Sequence, residues 1–379
     1  MKTIQLQLPS SINIGNNLME TLPSDSRIMR SQRLLFLTAA PLAQQMQAVI
    51  EPLKKTHSVQ ELIYDYPGEP TFELFGQLLD QLTGTPDCVI GTGGGSVLDC
   101  AKLLAALGTR KQQLTEVIGM QLVNRRTIQL ICIPTTAGTG SEMSPNAILL
   151  NAATQAKSAV ISRELVPDAV YIDPSLTLAL PARITAETGM DALSHCIESY
   201  TNINAHPVID LYALEGIKLI AGHLRQAVAD GTNIDARTAL LVGSMYGGIC
   251  LGPVNTAAVH ALSYGLGGKF HIGHGLANAM LLPPVFEFNA PASEYRHASV
   301  ARALGATAAN PTACIAEGAA LLRSLASECG IPAKLSDIGI PEGAIPELVA
   351  TAMEVTRLLN NNPRKMTPED AETIYRQLF

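Results

Sequence analysis

The sequence has no cluster of lysine or arginine, no uninterrupted apolar run of membrane-spanning length and no closely spaced pair of cysteines. Each absence closes off a class of function. Only 16% of the 379 residues are charged, 33 acidic against 26 basic for a net charge of −7, so nothing tracks a phosphate backbone and nucleic acid is not an expected partner. Apolar stretches such as Leu240 to Leu251 are interrupted by glycine well short of the roughly 18 to 20 residues that a bilayer span needs. The N-terminal Met1 to Ser10 carries a single lysine and alternates Ile4, Leu6 and Leu8 where a secretory signal would be continuously apolar, which predicts a cytoplasmic protein. The seven cysteines, Cys88, Cys100, Cys132, Cys196, Cys250, Cys314 and Cys329, are scattered in mostly apolar contexts and read as reduced, small-hydrophobe thiols. There is no internal repeat and no low-complexity segment.

What is present is a high hydrophobic content, 47%, enough for a large core and two domains of ordinary size. The first half alternates short aliphatic runs with amphipathic stretches: Leu34 to Leu37 then Ala43 to Lys55, Cys88 to Ile90 then Ser96 to Leu107, and Ile128 to Ile133. That alternation predicts parallel strands joined by crossover helices. From about Pro181 the pattern becomes Ala/Leu-rich with helical spacing, in Thr185 to Tyr200, Pro207 to Ala229, Ala236 to Leu251, Pro311 to Cys329 and Pro346 to Leu359. The expectation is an α/β domain over residues 1–178 and an all-helical domain over 179–379, joined near Asp173-Pro174, where the strand-like Ala169 to Ile172 ends.

Two turns at predicted strand ends carry chemistry. Cys88-Val-Ile-Gly-Thr-Gly-Gly-Gly-Ser-Val-Leu-Asp99 places three consecutive glycines between a strand and a helix, where backbone N–H groups and the helix dipole favour a pyrophosphate. The spacing is not G-x-G-x-x-G, and on the residues alone a merely tight strand-to-helix turn is the alternative. Pro134-Thr-Thr-Ala-Gly-Thr-Gly-Ser141 follows another apolar strand and adds hydroxyls and flexible backbone. Two such turns favour a dinucleotide, because ligands of open α/β sheets gather at strand ends.

The helical half holds a metal-like set. Asp191 and His195 stand four apart, so both project from one helix face and can share a cation. His260 opens another apolar segment, and His274 follows in the Gly-rich run Gly265-Leu-Gly-Gly-Lys-Phe-His-Ile-Gly-His-Gly275. One carboxylate with three imidazoles suits Fe2+ or Zn2+. A histidine taken singly is more often a structural or surface residue; His57, His206, His223 and His297, outside any such context, are read that way.

Together these segments resemble the iron-containing (type III) alcohol dehydrogenase family. The likeness lies in Gly93-Gly-Gly-Ser-Val-Leu-Asp-Cys-Ala-Lys102, Ile133-Pro-Thr-Thr-Ala-Gly-Thr-Gly-Ser-Glu142, Thr185-Ala-Glu-Thr-Gly-Met-Asp-Ala-Leu-Ser-His-Cys-Ile-Glu-Ser-Tyr200 and His274-Gly-Leu-Ala-Asn-Ala, and it runs from Asn13-Ile-Gly15 to Asn362-Pro-Arg. The resemblance implies a dehydroquinate synthase-like architecture, with a dinucleotide-binding α/β domain, a helical metal domain and a cleft between them. It implies an NAD- or NADP-linked enzyme that interconverts an alcohol (a primary alcohol, a diol or a sugar-acid alcohol) and its carbonyl compound. By the resemblance, Asp191, His195, His260 and His274 ligate Fe2+ or Zn2+, and Gly93, Gly94, Gly95 and Ser96 hold the pyrophosphate. Thr135, Thr136, Thr139 and Ser141 would then line the cofactor, Lys157 would reach its ribose, and Leu176 and Leu180 would flank the nicotinamide. Asp99 resembles a turn-fixing partner of that site. The family also implies a homodimer, and Lys2 to Leu8 alternates like an edge strand that could pair across a two-fold axis.

Some positions depart from the family pattern. Where many members carry an aspartate after the second strand, this chain reads Leu37-Thr-Ala-Ala40, and Ala39 neither accepts a ribose hydrogen bond nor repels a 2′-phosphate. Four residues after His260, where many have a second histidine, stands Tyr264. His271 either takes over the proton relay from that position or shapes the pocket. Two related readings are a glycerol-type polyol dehydrogenase and a dehydroquinate synthase-like lyase. The lyase needs a basic pocket, and the segment from His260 to His274 carries only Lys269. A non-catalytic nucleotide-binding protein would not keep all four metal-type side chains.

Overall fold

A computed structural model describes residues 2–66, 68–151 and 156–379. The chain falls into two compact units. One comprises Gln7–Thr136 with Gly140–Thr177; the other comprises Leu178–Phe379 and takes in Ala137–Thr139 and the extreme N-terminus.

The first unit is built on strands β1 (Ser11–Ile14), β2 (Arg33–Ala39), β3 (Ser58–Tyr64), β4 (Cys88–Gly93), β5 (Gly119–Met120), β6 (Gln129–Pro134), β7 (Asn146–Asn151), β8 (Ala156–Ile161) and β9 (Ala169–Ile172). With them run helices α1 (Ser26–Arg30), α2 (Ala43–Leu53), α3 (Phe72–Asp80), α4 (Gly95–Leu107) and α5 (Leu114–Val117). Six strands form a parallel sheet in the order β1-β9-β6-β4-β2-β3. A parallel sheet is covered on both faces, so its central strands are continuous apolar runs. Leu34, Phe36, Cys88, Ile90, Ile131 and Ile133 accordingly meet Met46, Val49 and Ile50 of α2 in one buried core.

The topology places a binding crevice. From β2 the chain goes outward to β3, whereas from β4 it goes the other way to β6. The carboxyl ends of β2 and β4, adjacent through Thr38↔Thr92, are therefore the switch point where ligands of open α/β sheets bind. A second, three-stranded sheet, β5-β8-β7, includes the antiparallel pair β7 and β8, which the sequence reading did not anticipate.

The second unit is helical: α6 (Ala182–Thr201), α7 (Pro207–Ala229), α8 (Ile234–Leu251), α9 (Ala258–Phe270), α10 (His274–Asn289), α11 (Glu294–Leu304), α12 (Pro311–Glu328), α13 (Ile345–Glu354), α14 (Thr356–Leu359) and α15 (Pro368–Arg376). Glycines let α6, α7 and α8 approach closely; a Cβ on Gly216 would lie 2.6 Å from Cys196 Sγ. All seven cysteines are buried and free.

Two expectations need correction. The helix read over Pro346 to Leu359 is broken between α13 and α14, where Val355 leaves the helical region (φ −80, ψ 50). Lys2 to Leu8 forms no strand; the first ladder begins at β1, which pairs with β9. The period-two pattern is still visible in burial, with Ile4, Leu6 and Leu8 half-buried between exposed Thr3, Gln5 and Gln7. A single chain brings that segment no partner strand.

Candidate active site

In the α/β unit, β4 runs straight into α4. Side chains at Gly91 and Gly93 would prevent this, because a Cβ would lie 2.5 Å from Ala101 Cβ and 2.6 Å from Val97 Cγ2 respectively. Gly94 caps α4 with no side-chain hydrogen bond, and the first N–H groups to find an intrahelical acceptor are those of Val97 and Leu98, on Gly94 O. The N–H groups of Gly95 and Ser96 precede that ladder, the usual basis of an anion site at a helix start. The second turn lies against it: Thr135 N–H donates to Gly93 O (3.0 Å), and a Cβ on Gly94 would sit 3.2 Å from Thr136 Oγ1. Gly93, Gly94, Gly95, Ser96, Thr135 and Thr136 are thus brought together beside the switch point.

Asp99 braces this arrangement from within. It accepts hydrogen bonds from Ser141 Oγ (2.5 Å) and Ile148 N–H (2.9 Å), and lies 3.6 Å from the Lys102 ammonium. Lys102 is fully buried and donates to Asn146 O (2.7 Å) and Ser144 Oγ (3.4 Å). Burial raises the Asp99 carboxyl, with Lys102 opposing, and pushes the Lys102 ammonium down, with Asp99 opposing. The other positions named from the resemblance have these surroundings. Lys157 is ion-paired with Glu69, and Leu176 sits in the α/β core beside Tyr171. Thr139 and Leu180 belong to the helical unit, where Leu180 O accepts from Arg237.

In the helical unit, α6, α9 and α10 converge. Asp191 Oδ1 lies 3.7 Å from His195 Nε2, 3.6 Å from His260 Nε2 and 3.7 Å from His274 Nε2. The four donor atoms all fall within 4.8 Å of one another. A tetrahedral ion with bonds of about 2.1 Å sets its ligands about 3.4 Å apart, so the donor set fits a divalent metal in both chemistry and spacing. Burial alone would raise the Asp191 carboxyl, but the imidazoles of His195, His274 and His260 hold it well below the usual range. Burial lowers His195, whereas Glu198 and Asp191 overcome burial at His260 and push it up to about 9.

Two side chains that the sequence reading missed complete the set. Glu198, 3% exposed, accepts from Val259 N–H (2.7 Å) and pairs with His260 Nδ1 (2.5 Å), which turns Nε2 towards Asp191. Asn278 Nδ2 donates to Asp191 Oδ1 (2.7 Å) and lies 3.1 Å from Nε2 of both His260 and His274. Spacing pointed to both, since Glu198 follows His195 by three residues and Asn278 follows His274 by four. Of the two remaining candidates, Tyr264 is half-buried one turn beyond His260, and His271 is exposed in the left-handed conformation (φ 54) that ends α9.

A parallel-sheet unit with a glycine turn at its switch point, and a carboxylate with three imidazoles in a helical unit, define a metal- and nicotinamide-dependent oxidoreductase. Residues 9–174 match the iron-containing alcohol dehydrogenase family, and residues 185–379 match the C-terminal part of the Fe-containing alcohol dehydrogenase family. The chain is 33% identical to long-chain-alcohol dehydrogenase 1 of Geobacillus thermodenitrificans (strain NG80-2), over 100% of this chain and 98% of that one. Among solved structures it resembles a 1,3-propanediol oxidoreductase (TM-score 0.92, 29% identity, 100% of both chains). It also resembles the sulfoacetaldehyde reductase of Bifidobacterium kashiwanohense in complex with NAD+ (TM-score 0.89, 25% identity, 100% and 99%). The chain belongs to the iron-containing alcohol dehydrogenase family, and it is an NAD(P)-linked, metal-containing alcohol dehydrogenase.

Proposed function

We propose that Asp191, His195, His260 and His274 hold one divalent ion, Fe2+ or Zn2+, and that the turn Gly93–Ser96 with Thr135 and Thr136 receives the pyrophosphate of NAD or NADP. The observation that carries the metal assignment is the approach of three Nε2 atoms to one carboxylate oxygen, each at 3.6 to 3.7 Å. The ion supplies Lewis acidity to the substrate oxygen, and the nicotinamide supplies the redox partner. The chain's own groups prepare that chemistry. Glu198 fixes the ring orientation of His260, Asn278 holds the Asp191 carboxylate in place, and burial keeps bulk water from competing for Asp191, His195 and His260. Tyr264 and His271 are the candidates for passing the substrate proton towards solvent.

The substrate is a small alcohol, with uncharged primary alcohols and diols as the first choice. Cofactor reduction should be followed across alcohols, diols and sugar acids with each metal supplied separately. Metal content should fall at least tenfold in His195→Ala and His260→Ala, together with turnover; full metal retention would overturn the assignment. We further infer a homodimer located in the cytoplasm. Among the described residues no helix is long and apolar enough to cross a membrane.

A further inference from the structure

α6 carries a third acidic side chain on the face that presents Asp191 and Glu198, and the metal set does not use it. At 100° per residue, Glu187 lies roughly 40° from Asp191 and roughly 20° from Glu198 around the helix axis. Asp191 is engaged by Asn278 and Glu198 by His260. Glu187 has no such partner. Among the described residues its one ion-pair partner is Arg183, with Nε 3.6 Å from Oε1, beyond hydrogen-bond range. The Arg183 side chain is 78% exposed and that of Glu187 only 12%, so the cation is in water while the carboxylate is largely covered.

What covers Glu187 is the segment that delivers His274. A Cβ on Gly275 would lie 2.5 Å from Glu187 O, and one on Gly273 would lie 3.6 Å from Glu187 Oε2. Gly275 is thus packed tightly on the Glu187 backbone, and position 273 lies within ordinary van der Waals reach of the Glu187 carboxylate. Glu187 is a weakly paired, mostly buried carboxylate on the ligand-bearing face.

On the metal-site reading given above, we propose that Glu187 is a specificity-determining residue. It selects uncharged and cationic alcohols, such as diols and amino alcohols, against alcohols with a carboxylate or sulfonate near the reacting carbon. A divalent ion with one carboxylate and three neutral imidazoles has a net charge of about +1 and would attract anionic substrates. Glu198 on the same face offsets that charge through its pair with His260, Glu187 then carries the site to about −1, and screening by salt is weak for a group so little exposed. Discrimination then comes from like-charge repulsion. One fold can serve either preference, since the family includes a sulfoacetaldehyde reductase as well as a 1,3-propanediol oxidoreductase.

The test compares metal-loaded wild type with Glu187→Gln, which keeps the volume and removes the charge, on three-carbon alcohols of one size: propane-1,3-diol, 3-aminopropan-1-ol and 3-hydroxypropane-1-sulfonate. In the variant, kcat/KM for the diol should stay within about threefold. The sulfonate should gain tenfold or more relative to the diol and the amino alcohol should lose by a similar factor, each tenfold being about 1.4 kcal/mol. Metal content should be unchanged. Unaltered ratios among the three alcohols would overturn the proposal, as would loss of metal from Glu187→Gln, which would make Glu187 part of the metal set. If wild type turned over none of the three alcohols, the proposed small-alcohol substrate class would fail. Dissociation constants from calorimetry would still decide between the two charge preferences.

Discussion

Glu198 holds two donors at once, the backbone of Val259 and the imidazole of His260, and it does so out of contact with water. Carboxylates that orient a ligating histidine typically contribute a factor of 10 to 100 in metal affinity. Glu198→Gln should therefore raise the metal dissociation constant by at least tenfold in chelator competition while α6 keeps its helicity; an unchanged constant would reduce Glu198 to a packing residue. His297 shows the opposite use of burial. Its ring packs against Phe286, and burial pushes it down to about 4, with the Ser293 carbonyl opposing. It folds neutral, while the unfolded chain takes up a proton below about 6.5. Its contribution is fully present above that pH and is lost as pH falls towards about 4, which amounts to about 2 kcal/mol between pH 7 and pH 5. Urea midpoints at those two pH values should differ less in His297→Gln than in wild type. At this scale the sequence was readable where residue type and spacing coincided, as in Asp191 with His195. Glu198 was missed despite standing three residues after His195, because a glutamate on a helix normally reads as solvated and only the approach of α9 gives it a partner.

At the scale of elements, the glycine turn depends on a buried ionic brace. Lys102 and Asp99 tie α4 to Ser141, Ser144 and Asn146, so the two turns cannot move independently. Removing one partner of a buried pair commonly costs about 3 to 5 kcal/mol. Lys102→Met should lower stability by about that amount in denaturant unfolding and weaken NAD binding, without changing metal content. Equal stability would show Asp99 protonated and the brace dispensable. On the proposed cofactor site, the end of β2 is where a carboxylate would discriminate against a 2′-phosphate, and Ala39 offers no charge there. The NAD to NADP ratio of kcat/KM should lie below about 10³, and Ala39→Asp should raise it at least tenfold, about 1.4 kcal/mol. A wild-type preference above that limit would mean that another residue discriminates. Central strands such as β4 and β6 were legible because strands buried on both faces are unbroken apolar runs. Ser58–Tyr64 was not, since Gln60 and Glu61 interrupt its apolar residues and it lies at the sheet edge. Nor was α9, which contains Gly265, Gly267 and Gly268. Tertiary packing overrides their low helix propensity, and a Cβ on Gly265 would lie 2.9 Å from Leu348 Cδ2.

At the scale of the whole molecule, the inferred assembly centres on the start of the chain. β1 is the edge strand of the six-stranded sheet, at the end opposite β3. The residues before it alternate half-buried Ile4, Leu6 and Leu8 with exposed neighbours, yet they join no ladder. Their contacts are single and peripheral: Lys2 Nζ to Ile203 O (3.1 Å), Gln7 Nε2 to Arg163 O (3.4 Å) and Ser10 Oγ to Asp168 O (2.7 Å). An extended segment with unladdered backbone donors and acceptors gains most by pairing with another strand, and a two-fold axis lets two copies of the same segment satisfy each other. Light scattering at micromolar concentration should therefore report about twice the 40.1 kDa chain mass. Deletion of residues 2–8 removes the pairing strand but none of the cofactor-turn or metal-set residues. The truncated protein should dissociate at concentrations where the full chain stays dimeric, with metal content per chain preserved. A strictly monomeric full-length protein would rule the dimer out, whereas a dimer indifferent to the deletion would place its interface on another surface of the chain.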